Sequence, residues 1–329
     1  MVKERLLQNW YRADWQPPLA LRLPAHLFRR LAALRRQAYA RGWLRVYRAP
    51  LPVIVVGNIT VGGSGKTPLV IWLVETLRQA GLRAGVVSRG YGGRARQWPQ
   101  AVEPHSDPVL VGDEPVLIAH RTACPVMVAP DRGAAIRALL AHHELDVIVA
   151  DDGLQHYAMA RDLEIAVIDG QHRLGNGWCL PAGPLREPAA RLATVDWVVN
   201  NGGPAETGEY LMRLEMAQAI NLRSGRQRPL RDFGPVHAVA GIGHPQRFFA
   251  QLRQQGLRLT PHPFADHHRY TAQELALDGE VLMTEKDAVK CRHFAHERLW
   301  YVPVQARLEP EFKTTLLARL DALRDTRKT

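Results

Sequence analysis

Cysteine is scarce in this chain: Cys124, Cys179 and Cys291 are the only three among 329 residues. They are odd in number, far apart, and form no C-x-x-C pair. That excludes a disulfide framework and a cysteine zinc site, and it fits a reducing compartment. The histidines lack an H-E-x-x-H frame as well, so they are poor zinc ligands on spacing. Long apolar runs are also missing. None reaches the roughly 18 residues that a membrane-spanning helix needs. The beginning carries Glu4, Arg5, Arg12 and Asp14 and lacks the uninterrupted apolar core and cleavage site of a secretory signal. Acidic residues are in deficit, 32 against 43 Lys and Arg, leaving a formal net charge of +11. That balance favours an anionic partner: nucleic acid, a phospholipid surface or a phosphorylated substrate. No internal repeat and no long low-complexity segment is present. The remaining composition, 46% hydrophobic and 23% charged, is that of a globular chain long enough for two cores.

What is present begins with residues 52–67, Pro-Val-Ile-Val-Val-Gly-Asn-Ile-Thr-Val-Gly-Gly-Ser-Gly-Lys-Thr. A short apolar run rich in β-branched residues predicts a strand covered on both faces. Glycines 62, 63 and 65 then permit a tight turn, and Lys66-Thr67 opens a helix. Amides of such a turn, Thr60 through Thr67, can cradle phosphate oxygens at the positive end of the helix. Lys66 would reach the outer phosphates and the Thr67 hydroxyl would ligate Mg²⁺. The general P-loop pattern asks for glycine where Thr60 stands.

Downstream, strands are expected over 84–88, 125–129, 146–150, 164–168 and 196–199, with helices between them. This alternation predicts an α/β fold, a P-loop NTPase-like, doubly wound, mostly parallel sheet. Its functional edge lies at the carboxyl ends of the strands, where the P-loop, Arg89, Asp151 and Asp152 follow. Val147–Asp151 has the form of a Walker B strand, whose carboxylate helps to hold Mg²⁺. Asp113 reads as an N-cap, with Pro115 just inside its helix. Asn200-Asn201-Gly202-Gly203-Pro204 breaks the chain, and a second, smaller α/β unit follows. It runs through strand 236–240, turn Gly241-Ile242-Gly243, helix 245–255, strands 281–284 and 299–302, and a closing helix near 309–324 with a frayed end. The expected division is a helical arm over 1–47, a P-loop core over 48–205, an extended linker over 206–232 and a smaller α/β domain over 233–329.

The arm is a basic amphipathic helix. On a helical wheel Leu23, Leu27, Leu31, Leu34 and Ala38 share a face, with Arg29 and Arg36 opposite and Arg30 and Arg35 on the flanks. Pro24 is placed near its start, where a missing N–H costs little. Such a helix can lie in a membrane interface or pack on its own domain; the wheel supports both equally. Candidate cations near a transferred phosphate are Lys66, Arg89, Arg132, Arg186 and Lys286. Candidate bases are Asp113, Asp152 and the cluster Asp266-His267-His268, and spacing does not choose among them. Thr284-Glu285-Lys286-Asp287 resembles a guanine-reading element, but its lysine is displaced by one residue, which favours ATP.

Several motifs together resemble one family, the tetraacyldisaccharide 4′-kinases (the lipid A kinases of Gram-negative bacteria). They are Gly57 through Pro68, Ser88-Arg89-Gly90-Tyr91-Gly92, Gly112-Asp113-Glu114-Pro115 and Asp151-Asp152-Gly153-Leu154-Gln155-His156. Further on come Pro181 through Glu187, Asp266-His267-His268 and Met283 through Lys290. Thr60 is normal for that family. The resemblance implies Mg²⁺–ATP-dependent phosphorylation of the 4′-hydroxyl of a tetraacylated glucosamine disaccharide 1-phosphate, giving lipid IVA. It implies work at the cytoplasmic face of the inner membrane through an N-terminal membrane-associated helix, with a lipid disaccharide substrate. It implies that Lys66 and Thr67 handle phosphates and metal, that Asp151, Asp152 and Glu187 surround Mg²⁺, and that Asp113 and His267 form the acid–base pair. Arg89, His156 and Arg186 would lie near nucleotide or substrate. Many members have a more continuous apolar N-terminal segment; here Arg22, Arg29, Arg30, Arg35 and Arg36 interrupt it, favouring an interfacial helix. The competing classes are a P-loop switch or partner-binding module, and a basic nucleic-acid ATPase. No recognised nucleic-acid module supports the latter, and no stable protein partner is expected.

Overall fold

The computed structural model describes residues 9–12 and 14–328. The expected arm begins with residues 1–8, which lie outside them. Helix α1 (Leu19–Ala40) follows, then strand β1 (Val53–Gly57) and helix α2 (Lys66–Gln79) on either side of the glycine turn. Strands β2 (Ala84–Ser88), β3 (Gln100–Val102), β4 (Val126–Val128), β5 (Val147–Asp151), β6 (Leu163–Asp169) and β7 (Trp197–Asn201) complete the first run, with helices α3 (Asp113–Thr122) and α4 (Arg132–His142) among them. Strands β8 (Glu209–Met216), β9 (Ala219–Asn221), β10 (Gln227–Arg228), β11 (Val236–Ala240) and β12 (Leu259–Pro263) come next, with helix α5 (Pro245–Gln254) between the last two. The chain closes with β13 (Glu280–Thr284), α6 (Glu285–Cys291), β14 (Leu299–Val302), β15 (Val304–Leu308) and α7 (Pro310–Lys328).

Two sheets result. The larger has the order β15-β8-β7-β6-β1-β5-β2-β4-β3, and the smaller β10-β9-β14-β13-β11-β12. From β8 to β4 the larger sheet is parallel; β15 and β3 flank it antiparallel. Every residue of β1, β2, β5 and β6 is buried, as a parallel sheet covered on both faces requires. Helices α2, α3 and α7 cover one face and α4 the other, each with its own apolar core.

The chain does not divide where its sequence suggests. Within 206–232, strand β8 pairs with β7 at the larger sheet and β9 with β14 of the smaller. After crossing the smaller sheet, the chain returns: β15 pairs with β8, and Phe312, Leu316 and Leu320 of α7 are buried in the larger core. Helix α7 also outruns the expected frayed end, continuing to Lys328. Arg327 ties it down through Asp162 at 2.7 Å and the Ala49 carbonyl at 3.2 Å.

Helix α1 starts five residues before Pro24, so that proline sits in its second turn. The helix attaches by one side only. Ala25 is buried, Phe28 packs on the core beneath α4, and Arg35 donates to the Gln155 carbonyl at 3.1 Å. The leucine stripe points outward: Leu23, Leu27, Leu31 and Leu34 are each more than half exposed, Leu23 reaching 72%. No helix among the described residues is long and apolar enough to cross a membrane.

Candidate active site

The glycine turn is held from both sides. Gly62 and Gly65 adopt φ of 104° and 94°, left-handed values that favour glycine. Thr60 needs no such freedom, because it bridges Leu185 as in a short antiparallel pair. Around it the Val61 amide donates to the Pro184 carbonyl at 2.8 Å and the Arg186 amide to the Ile59 carbonyl at 2.7 Å. The Pro181–Glu187 stretch is thus a brace for the turn, and it delivers Arg186 and Glu187 to the site. On the far side, Asn201 at the end of β7 donates to the Ser64 carbonyl at 3.0 Å.

Asp151 ends β5, next to β1, Asp152 opens the turn after it, and their environments differ. Asp151 is fully enclosed; Ser88 donates to one carboxylate oxygen at 3.1 Å, and the other has no hydrogen-bond partner. Burial, then the charges of Glu114 and Asp152, push its carboxyl up to about 7. Asp152 adopts a left-handed φ of 48°, an uncommon conformation that turns its side chain toward two cations. Lys66 Nζ lies 3.6 Å away and Arg186 Nη1 3.1 Å away. Burial raises its carboxyl, but those two cations outweigh burial and hold it below the usual range. Thr67 stands in the first turn of α2.

The other sequence candidates fall into three groups. Glu187 is buried, accepting hydrogen bonds from Gln155 at 2.9 Å and from the Tyr157 hydroxyl, with Arg191 at 3.8 Å. Gln155 also donates to the Asn58 carbonyl at 3.0 Å, so Glu187 is joined to the glycine turn through it. Spacing alone does not single out Gln155 and Tyr157, which stand three and five residues after Asp152. His156 is turned aside: its Nε2 accepts from the Arg132 amide at 3.4 Å, and burial followed by the Arg132 charge lowers its pKa to about 4. Arg89 is exposed at the end of β2.

Asp113 does not act as an N-cap; it is the first residue of α3, and Gly112 precedes it as the cap. Its buried carboxylate instead meets His267 from the smaller-sheet unit, whose Nδ1 lies 2.9 Å from Oδ2 and 3.0 Å from Oδ1. Burial would raise the Asp113 carboxyl, yet the His267 hydrogen bond and the nearby Lys286 charge keep it lowered. The Asp113 hydrogen bond in turn raises His267. The geometry also separates the two adjacent histidines. His268 faces Glu274 at 3.1 Å and packs against Phe264 and Tyr270, away from Asp113.

The Thr-Glu-Lys-Asp stretch has no base-reading geometry. Asp287 is completely buried, accepting from the Gly241 amide at 3.0 Å and the Thr284 hydroxyl at 2.6 Å, with Lys290 at 2.7 Å. Its neighbour Lys286 reaches Glu114 at 2.9 Å. The turn Gly241–Gly243 presses on the glycine loop itself: a Cβ added at Gly243 would lie 3.1 Å from the Gly63 amide nitrogen. The same added Cβ would lie 3.7 Å from Asp266 Oδ2, so Gly243 stands between the glycine turn and the segment that carries His267.

A glycine turn between a buried parallel strand and a helix, with its lysine beside a Walker B-type carboxylate pair, defines a P-loop NTPase-like phosphotransferase. The family profile described as LpxK, tetraacyldisaccharide-1-P 4′-kinase, matches residues 18–321, and the chain belongs to that family. Among curated relatives, the tetraacyldisaccharide 4′-kinase of Nitrosococcus oceani is 52% identical over 320 residues, covering 96% of this chain and 94% of that protein. The enzyme of the same name from Alkalilimnicola ehrlichii is 54% identical over 326 residues, covering 94% and 95%. A crystal structure of LpxK from Aquifex aeolicus in complex with ATP matches with a TM-score of 0.75 and 27% identity, covering 97% of this chain and 99% of that one.

Proposed function

We propose that this kinase transfers the γ-phosphoryl group of ATP to the 4′-hydroxyl of a tetraacyldisaccharide 1-phosphate, giving lipid IVA in lipid A biosynthesis. The observation that carries the assignment of roles is the 2.9 Å contact between Asp113, at the start of α3, and His267, in the turn after β12 of the smaller sheet. Asp113 accepts the proton of the 4′-hydroxyl while the oxygen attacks the γ-phosphorus and the bond to the leaving ADP oxygen breaks. His267 shares the acquired proton, so Asp113 is not left a neutral acid in a buried site. Lys66 and Arg186, now on Asp152, are the cations placed to meet the phosphates. Such chemistry needs mainly positioning and charge neutralisation.

Mg²⁺ fits this donor set, because Asp151 keeps a buried oxygen without a partner at the end of β5, next to the strand whose turn leads into Thr67. Asp151 and Thr67 would hold the ion, with Asp152 and Glu187 around it. When bound, it neutralises charge on the β- and γ-phosphates. ATP as donor is supported by the ATP complex of the Aquifex aeolicus relative.

The outward leucine stripe of α1 supports work at a membrane surface. Fully burying a leucine is worth about 1.5–3 kcal/mol, so even partial insertion of four would sum to several kcal/mol. Arginines beside the stripe would add attraction to anionic head groups. This is a peripheral attachment on the cytoplasmic face of the inner membrane, adequate for a lipid acceptor. Incubation with labelled ATP and the disaccharide 1-phosphate tests the reading. Acceptor-dependent label at the 4′ position is expected; ATP hydrolysis that ignores the acceptor would refute it.

A further inference from the structure

We propose that Lys286 is a positioning residue for the acid–base pair, clamping the two chain segments that carry Asp113 and His267 into register across the cleft. The inference rests on the reading of that pair given above. Lys286 lies in the first turn of α6, in the smaller-sheet unit, and its side chain is only 17% exposed. Its ammonium sits 2.9 Å from Glu114, 3.4 Å from Asp266 and 4.0 Å from Asp113. Glu114 directly follows Asp113, and Asp266 directly precedes His267. One cation thus grips the chain neighbour of each partner. An ammonium suits this task because its three donors point in different directions.

The lysine is itself firmly anchored. The Asp287 amide donates to Thr284 Oγ1 at 3.1 Å, and the Asp287 carboxylate takes the Gly241 amide. Glu285 binds Arg121 of α3 at 2.7 Å, a second link from the same helical turn to the same partner helix. Thr284 through Asp287 is therefore an anchor between sheets, with Lys286 as the member that reaches the site.

Charge makes the clamp more than packing. Facing the Asp113–His267 pair are Glu114, Asp266 and Lys286, with Lys290 further back on Asp287 and the Tyr91 ring 5.3 Å from His267. Lys286 favours the ionised Asp113 and opposes the cationic form of His267. Removing its charge makes the pair hold a proton more tightly, so a higher pH is needed to free the base.

The test uses the full chain with ATP and the disaccharide 1-phosphate, following turnover across its acid limb. Lys286→Gln should lower kcat by about 10- to 100-fold while the KM for ATP stays within about two-fold. Its acid limb should move to higher pH, and Lys286→Arg should return the limb to the wild-type position with part of the turnover. Asp266→Asn serves if Lys286→Gln does not fold, as judged by thermal melting. It removes a negative charge from His267, so its limb should move the opposite way, to lower pH. Unchanged turnover, or lost turnover with an unmoved limb, would overturn the assignment while normal wild-type transfer left the functional reading intact. A wild-type chain that failed to phosphorylate the acceptor would overturn both.

Discussion

Two strand–glycine turn–helix units face each other in this molecule, and they differ at the helix start. In the first, β1 leads through Gly62 and Gly65, both left-handed, to Lys66 and Thr67. In the second, β11 leads through Gly241-Ile242-Gly243 to His244 and Pro245. Its Gly241 amide is already taken by Asp287, and proline offers no N–H to a ligand. That turn presses on the phosphate loop. A glycine turn before a helix becomes a phosphate site only when its donors remain free and a cation opens the helix.

Among changes to the two turns, removing that cation should have the largest effect. Lys66→Ala is expected to lower phosphoryl transfer by about 10²- to 10³-fold while the melting temperature stays close to wild type. Near-normal turnover would erase the distinction between the two turns. The pressing role of the second turn predicts a smaller loss. Gly243→Val crowds the Gly63 amide and should raise the KM for ATP by up to about ten-fold, since small displacements near reacting groups are costly. An unchanged KM would detach the second turn from the site.

A pH profile sharpens the comparison from the smaller-sheet side. The Asp113 contact raises His267 above its ordinary value of 6.5. The pair accepts a proton when His267 is neutral, so turnover should fall as pH drops through a value above 6.5. A limb far below that would separate His267 from the base. The smallest effect on the folded state is expected at the arm. Replacing Leu23, Leu27, Leu31 and Leu34 by serine should weaken liposome association about ten-fold or more, each leucine being worth over 1 kcal/mol when buried. Stability should change by no more than about 0.5 kcal/mol per site, as the stripe is exposed. Retained liposome binding would move the membrane contact elsewhere.

The phosphate side of the cleft was legible in the sequence because its parts are contiguous. Strand, glycines, Lys66 and Thr67 follow one another, and the Walker B carboxylates close an apolar run. The Asp113–His267 contact joins residues 154 apart, one opening a helix of the larger-sheet unit and one in a turn of the smaller, so spacing could not select it from the other bases. The family resemblance supplied the pairing. The domain boundaries were hidden for a related reason. Strand β8 is mostly half-exposed at the sheet's edge region, without a clear apolar alternation, and β15 is a short edge strand directly after Pro303. Nothing local announces that α7 returns to the larger sheet. The leucine stripe was plain on the wheel, but which side of α1 packs depended on Ala25 and Phe28.

The central claim is that a base delivered between two sheets drives transfer from a nucleotide held by one of them. Single-turnover transfer by Asp113→Asn at saturating ATP tests it most directly. The account predicts a transfer rate lowered by about 10²- to 10⁴-fold with ATP affinity within about two-fold of wild type. A rate that survives the substitution, or a defect that appears only as weakened ATP binding, would contradict it.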